Sequence, residues 1–377
     1  MKLMSKKMSR SNLITVLLIL VFILPAGTAY AVTGGTSVLI SSNLLDHAGL
    51  KLNWQFNLPI KQSENVDRLF IFGKYLYVLT DRNYLFCLDR VKGTIRFDLQ
   101  LAPAGLPIGR PDYYDGKLWL IVGKELIVLN PLTGTIAEKR TIETIGRYTV
   151  YGPIRNSENI FIAGVDKRLH AIVADEYWHR FMVTADNDSL ITSMTVDDWL
   201  VVFTTEAGNI VCIRAQGPKK LWQFDISGPI TAPVVRDYDW LYVGGEDTKL
   251  YKLNVRTGKA GWDAPFQAQQ PLLESAQLSW DIVYQYAGDN GLYAIDKTSG
   301  KKLWQVLEGI GLLTEMGSKA YVLAEPGELV VMDNNTGKKL FSVNFAPVTR
   351  FTTNLLDPVI YVSDNKGRIA SIVQIEQ

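Results

Sequence analysis

Three histidines, two cysteines and a few neighbouring carboxylates are the residues of this 377-residue chain whose types and spacing could carry chemistry. His47, His170 and His179 could ligate a metal or move protons, and Cys87 and Cys212 could serve as nucleophiles, metal ligands or a disulfide. A zinc site needs His, Cys or carboxylate ligands that converge, usually in short paired spacings. Only His170 and His179 lie close in sequence, and the two cysteines are 125 positions apart. No nucleophile elbow, phosphate loop or calcium loop occurs. Asp197-Asp198, Asp237 and Asp239 resemble the close carboxylates that acid/base catalysis uses, but they fall in segments that read as hairpin turns, where solvated turn residues are the plainer account.

The elements that would position these groups begin after residue 31. Lys2, Lys6, Lys7 and Arg10 precede an apolar run from Leu13 to Leu24, and Ala29-Tyr30-Ala31 is a small-x-small site, so residues 1–31 read as an export signal cleaved before Val32. The apolar run is shorter than the ~20 residues of a membrane span. Removing the leader takes away four basic side chains and no acid, leaving 35 basic against 38 acidic groups. So balanced a surface recruits neither nucleic acid nor an anionic membrane through a global field. Export permits disulfides, yet Cys87 and Cys212 each sit inside an apolar strand-like run and are expected as small buried hydrophobes. Residues 32–50 are expected to be a linker.

From residue 51 onward the chain repeats itself. Gly93, Gly134, Gly217, Gly258, Gly300 and Gly337 are spaced 41, 83, 41, 42 and 37 apart, the 83 being two periods with a degenerate copy between. In that copy Asp175-Glu176-Tyr177 replaces the Thr-Gly turn. An aromatic follows the glycine at Phe97, Trp222, Trp262, Trp304 and Phe341, while Glu138 breaks the pattern in the second copy. Runs of five to seven residues with alternating polarity and many β-branched or aromatic side chains argue strands, and helix signals are essentially absent after residue 40. Four short strands every forty or so residues is the blade of a β-propeller. Eight such units can be counted, and the last lacks its outermost strand. Lys51 to Leu58, with Trp54, is predicted to supply it, closing one all-β, eight-bladed ring of antiparallel four-stranded blades over residues 51–377.

The tryptophans then acquire places. Trp54, Trp222, Trp262 and Trp304, with Phe97 and Phe341, are expected to fill the wedges between blades, and Trp178 to do so in blade three. Trp199, Trp240 and Trp280 precede or sit in turns and are the candidates for an exposed contact face.

The units Leu250-Tyr251-Lys252-Leu253-Asn254, Thr257-Gly258-Lys259 and Trp262, and their copy ending Ser299-Gly300-Lys301 and Trp304, resemble the PQQ-like, or quinoprotein-type, propeller repeat. With eight blades and an export signal, the chain is most similar to the BamB family of outer-membrane assembly factors. That resemblance implies a non-catalytic scaffold in the periplasm or at the cell surface, binding envelope or outer-membrane proteins, monomeric and without a cofactor. BamB proteins are lipoproteins, and this sequence has no lipidation cysteine near its cleavage site. The other users of the repeat, quinoprotein dehydrogenases, imply pyrroloquinoline quinone with calcium, but they are longer and carry inserted loops and adjacent cysteines.

Two groups of residues are candidates for binding. Blade three departs most from the repeat and carries Lys167, Arg168, His179 and Arg180, with His170 between them, a possible partner surface where the turn motif is lost. Inner-strand neighbourhoods contribute Asp67, Arg110, Tyr151, Thr192, Thr231, Glu274, Thr314 and Arg350 in successive blades, a mixed set expected to line the central funnel, where it could hold a small polar ligand or merely water.

Overall fold

The computed structural model describes residues 38–145 and 148–375; the expected leader lies outside them. Within them, eight four-stranded antiparallel sheets form the blades of a propeller. In blade one the strands run outward from the axis as Val66–Phe72, Tyr75–Thr80, Tyr84–Asp89 and Ile95–Gln100. The inner strands of blades two to six are Asp112–Tyr114, Thr149–Arg155, Ile191–Val196, Val235–Asp237 and Gln277–Leu278.

Sequence alternation of polar and apolar residues survives on outer strands such as Ile95–Gln100, but the middle strands Tyr75–Thr80 and Asn159–Gly164 are buried at every position. A middle strand is covered by a neighbouring blade on each face, so both of its faces must be apolar, as in a sheet sandwiched between layers. Cys87 and Cys212 occupy such strands as free thiols, and burial pushes both up to about 12.

Closure is as the sequence predicts. The strand Leu50–Asn57 pairs antiparallel with Arg368–Gln374, from Leu50 opposite Gln374 to Asn57 opposite Arg368, as the outermost strand of blade eight. The seam to blade one is then stitched by Leu58 N–H to Gly367 O (2.8 Å), Val66 N–H to Asn365 O (3.0 Å) and the Arg90–Asp357 ion pair (2.9 Å).

One element is absent from the sequence reading. Ser42–His47 forms a short α-helix, and Leu39, Ile40, Leu45 and Ala48 join a core with Met316, Tyr321 and Phe345 of blade seven and Leu50 and Val362 of blade eight. Six residues with no side-chain cap carry little intrinsic helix signal; the fold of this segment is decided by the apolar seam it covers. Phe341 packs against the same cluster.

Candidate functional site

Successive blades are held at a repeated joint that fixes what each face can present. The indole of Trp222 lies against Gly258 of the next blade, and its Nε1–H donates to Val255 O (2.9 Å). Trp54 does the same with Gly93 and Arg90 O (3.0 Å), and Trp262 with Gly300 and Lys297 O (3.1 Å); Trp304 donates to Asn334 Oδ1 (2.9 Å). Phe97 packs on Gly134 without the hydrogen bond. These glycines have φ between +67° and +69° at 93, 134 and 258, the left-handed region, so the turn and the close approach require the same residue.

A β-bulge one residue before the aromatic aims it. Register slips by one between Cys87 and Leu88, Cys212 and Ile213, and Ala294 and Ile295, leaving Phe97, Trp222 and Trp304 opposite a small residue. The same slip in blade three falls between Ala171 and Ile172 and places Phe181 opposite Ala171. Phe181, not Trp178, therefore occupies the inter-blade position. Trp178 is half exposed with its Nε1 on Glu176, and the space beside Gly217 is open.

The expected basic surface of blade three is not assembled. Lys167 and Arg168 lie at one end of the sheet, where Arg168 pairs with Thr184 and Lys167 Nζ meets Asp188 (3.2 Å). His179 and Arg180 lie toward the other end, with Arg180 on Glu158 (2.7 Å) and Asn159 Oδ1 (3.0 Å). His170 is buried between them, its Nε2 2.9 Å from Asp166 and its ring edge-on to His179 at 5.6 Å. Burial lowers its pKa against the opposing pull of Asp166, which favours the neutral imidazole.

The funnel set is likewise divided. Thr314 is fully buried and lines no channel: its Oγ1–H donates to Asn354 O (2.7 Å), joining the inner strands of blades seven and eight. Thr192 makes the equivalent bond to Ile230 O (2.6 Å). Thr231 donates to Glu246 (3.0 Å), and the exposed Glu274 offers only its backbone oxygen to Gln285 (2.9 Å). Arg350 donates to Asp67 O (3.0 Å), while the Asp67 carboxylate pairs with Arg68 (3.1 Å). Arg110 and Tyr151 do line an axial cavity of about 550 Å³, with Asp112, Tyr113, Asp197 and Asp198.

Two of its acids, Asp112 and Asp197, are firmly engaged, while Asp198 accepts the N–H and hydroxyl of Ser157. Asp197 accepts the backbone N–H of Trp199 (2.7 Å) and Leu200 (2.6 Å) and pairs with Arg236 (2.8 Å). Asp112 accepts Arg155 N–H (3.0 Å), and burial raises its carboxyl above the usual range. The Arg155 guanidinium stacks on Tyr114 (5.1 Å) and Trp119 (4.7 Å) and reaches Asp175 (3.0 Å). Among the described residues no three His, Cys, Asp or Glu side chains converge as a metal site would need.

What the fold does expose is aromatic. The turns joining inner to second strands, and third to outer strands, all emerge on one face of the ring. On that face four consecutive blades each present a large aromatic: Trp178 (50% exposed), Trp199 (74%), Tyr238 (83%) and Trp280 (89%). The turns are pinned from below, Trp199 by the Asp197 carboxylate, Tyr238 by Arg236 Nε to its carbonyl (2.9 Å), and the Ser279-Trp280 turn by Lys297 Nζ to Ser279 O (2.6 Å). Trp240 departs from expectation: its ring is packed over Gly261 and under the Lys252 ammonium at 4.6 Å. Trp199 and Trp280 of this row are legible in the sequence, whereas Tyr238, in a turn at φ +48°, carries no signal that sets it apart from other turn residues.

Comparison with known proteins agrees with this architecture. The family model described as outer membrane protein assembly factor BamB matches residues 207–376. The outer membrane protein assembly factor BamB of Shewanella oneidensis is 22% identical over 220 residues, covering 54% of this chain and 54% of that protein, so the match spans about half the curated relative. Among solved structures, BamB from Moraxella catarrhalis superposes with a TM-score of 0.65 at 13% identity, over 86% of this chain and 99% of that one. The computationally designed Ika8 protein gives 0.66 at 14%, over 84% and 98%. The quinohemoprotein alcohol dehydrogenase of Comamonas testosteroni gives 0.61 at 13%, over 89% and 78%. Identities this low speak to fold alone.

Proposed function

From a PQQ-like, BamB-like β-propeller, we propose an exported scaffold that binds protein partners in envelope or outer-membrane assembly and makes or breaks no bond itself. The observation that carries this reading is the row of aromatics on pinned turns in blades three to six. Exposed Trp and Tyr on a rigid support are the side chains that dominate binding at protein interfaces, because they bury much area at little cost in conformational entropy. The inter-blade joints supply the rigidity. Substituting Trp199→Ser together with Trp280→Ser is expected to leave the fold intact and abolish recovery of envelope proteins after crosslinking in the native host and mass spectrometry. Undiminished recovery from the double variant would overturn the reading.

The dehydrogenase relatives of the fold raise a second possibility, pyrroloquinoline quinone with calcium. Calcium takes ~6–8 oxygen ligands, several of them free carboxylates. At the axial cavity Asp197 is consumed by two N–H groups and Arg236, and Asp112 by Arg155 N–H, so Asp198, itself bonded to Ser157, is left as a single carboxylate, too few for calcium, and these residues do not fit the pair. We expect titration with the quinone and calcium to give no saturable absorbance change and no dye-coupled alcohol oxidation; stoichiometric binding would restore the enzyme reading.

A further inference from the structure

We infer that the aromatic face takes an extended, arginine-bearing segment of its partner; this rests on the scaffold reading and names the chemistry it would use. The turns between inner and second strands in blades three to six, taken with the strand-end residue Asp237, are residues 156–158, 197–199, 237–239 and 279–281. They contain Glu158, Asp197, Asp198, Asp237, Asp239 and Asp281, and no lysine or arginine. Four of these acids are neutralised within the chain, Glu158 by Arg180, Asp197 by Arg236, Asp237 by Lys297 and Asp239 by Arg256. The two left without a cation are Asp198 and Asp281, the immediate neighbours of Trp199 and Trp280. Asp198 accepts only Ser157, at 3.0 Å from N–H and 2.6 Å from Oγ, and Asp281 has no ion-pair partner among the described residues.

An exposed indole beside an unpaired carboxylate is a site for a guanidinium: the plane stacks on the ring while its N–H groups reach the acid. Two such pairs two blades apart, with Tyr238 between them, suit a segment that crosses the turns in extended form and sets one arginine at each end. The lysine-like alternative is weaker, since an ammonium is more strongly hydrated and cannot engage ring and carboxylate in one plane. A neutral membrane surface would also favour exposed Trp and Tyr, but it would gain nothing from Asp198 and Asp281.

The test uses the protein spanning residues 32–377 and blocked twelve-residue peptides in which arginine alternates with Gly and Ser, alongside versions with citrulline or glutamate in place of arginine. Binding is read by tryptophan fluorescence and calorimetry at low and physiological salt. The arginine peptide is expected to bind saturably, at least tenfold more tightly than the citrulline peptide, with affinity falling as salt rises and the glutamate peptide inert. Trp280→Ala and Asp281→Asn are each expected to weaken it about fivefold or more, without change in melting temperature. Equal binding of arginine and citrulline peptides, indifference to Asp281→Asn, or a fluorescence shift with phosphatidylcholine vesicles but not with the peptide would each overturn the inference. If partner recovery is lost in the Trp199/Trp280 double variant while the arginine peptide fails, the scaffold reading stands and only its chemistry is wrong.

Discussion

Deleting residues 1–57 is expected to leave a protein that melts at least about 10 °C lower, or without a cooperative transition, and that associates in solution. The deletion removes the strand Leu50–Asn57, which pairs along its whole length with Arg368–Gln374 and buries Leu50 completely and Leu52, Trp54 and Phe56 in part. Full burial of one such side chain is worth about 1.5–3 kcal/mol, so the loss is of the order of 5 kcal/mol against a total stability of roughly 5–15 kcal/mol. It also takes away Trp54 from Gly93 and Arg90 O, the joint between blades eight and one. What remains is an unpaired edge, Arg-Ile-Ala-Ser-Ile-Val-Gln, apolar and low in charge, which invites pairing with another copy. Adding a synthetic peptide of residues 38–57 should restore the melting temperature and the association state of the intact protein. Unchanged melting and an unchanged association state of the truncated protein, by calorimetry and light scattering, would show that the ring does not depend on this closure.

The second large effect concerns one joint taken apart from both sides. Trp262→Ala is expected to cost about 3–5 kcal/mol, because the indole is 6% exposed and its Nε1–H holds Lys297 O at 3.1 Å. Gly300→Ala should cost about 3 kcal/mol for a different reason: φ is +72°, and a Cβ there would stand 2.7 Å from Trp262 Cδ2. In the double variant the space left by the indole admits the methyl group. Only the left-handed strain remains, about 1–2 kcal/mol. The two substitutions should therefore be non-additive by roughly 1–2 kcal/mol in a denaturant-unfolding cycle. Strict additivity would mean that ring and glycine do not press on each other.

That joint also marks the limit of what the sequence discloses. Glycine spacing at 93, 134, 217, 258, 300 and 337 is a covalent period, so the blades, their number and the missing outer strand can be counted without coordinates. The bulge cannot, because it is a property of how two strands register. Lacking a turn glycine in blade three, the sequence offers Trp178 as the wedge residue, whereas pairing of Ala171 with Phe181 decides the matter. Exposure of the turn tryptophans is similarly non-local: Trp199 and Trp280 stand clear, and Trp240 is covered only because Gly261 and Lys252 come back over it. Thr314 shows the same limit at the axis, where an inner-strand hydroxyl turns sideways to a neighbouring blade instead of inward. The helix Ser42–His47 had no local signal to find.

The confinement of the aromatic turns to blades three to six bears on how anything seated on that face is oriented. Eight blades of one pattern form an object with near-eightfold rotational symmetry, and an undecorated ring would offer a visitor eight equivalent settings. An arc of Trp178, Trp199, Tyr238 and Trp280 breaks that degeneracy. It gives the disc an azimuth, so that a partner gripping the arc also learns where the remaining blades point.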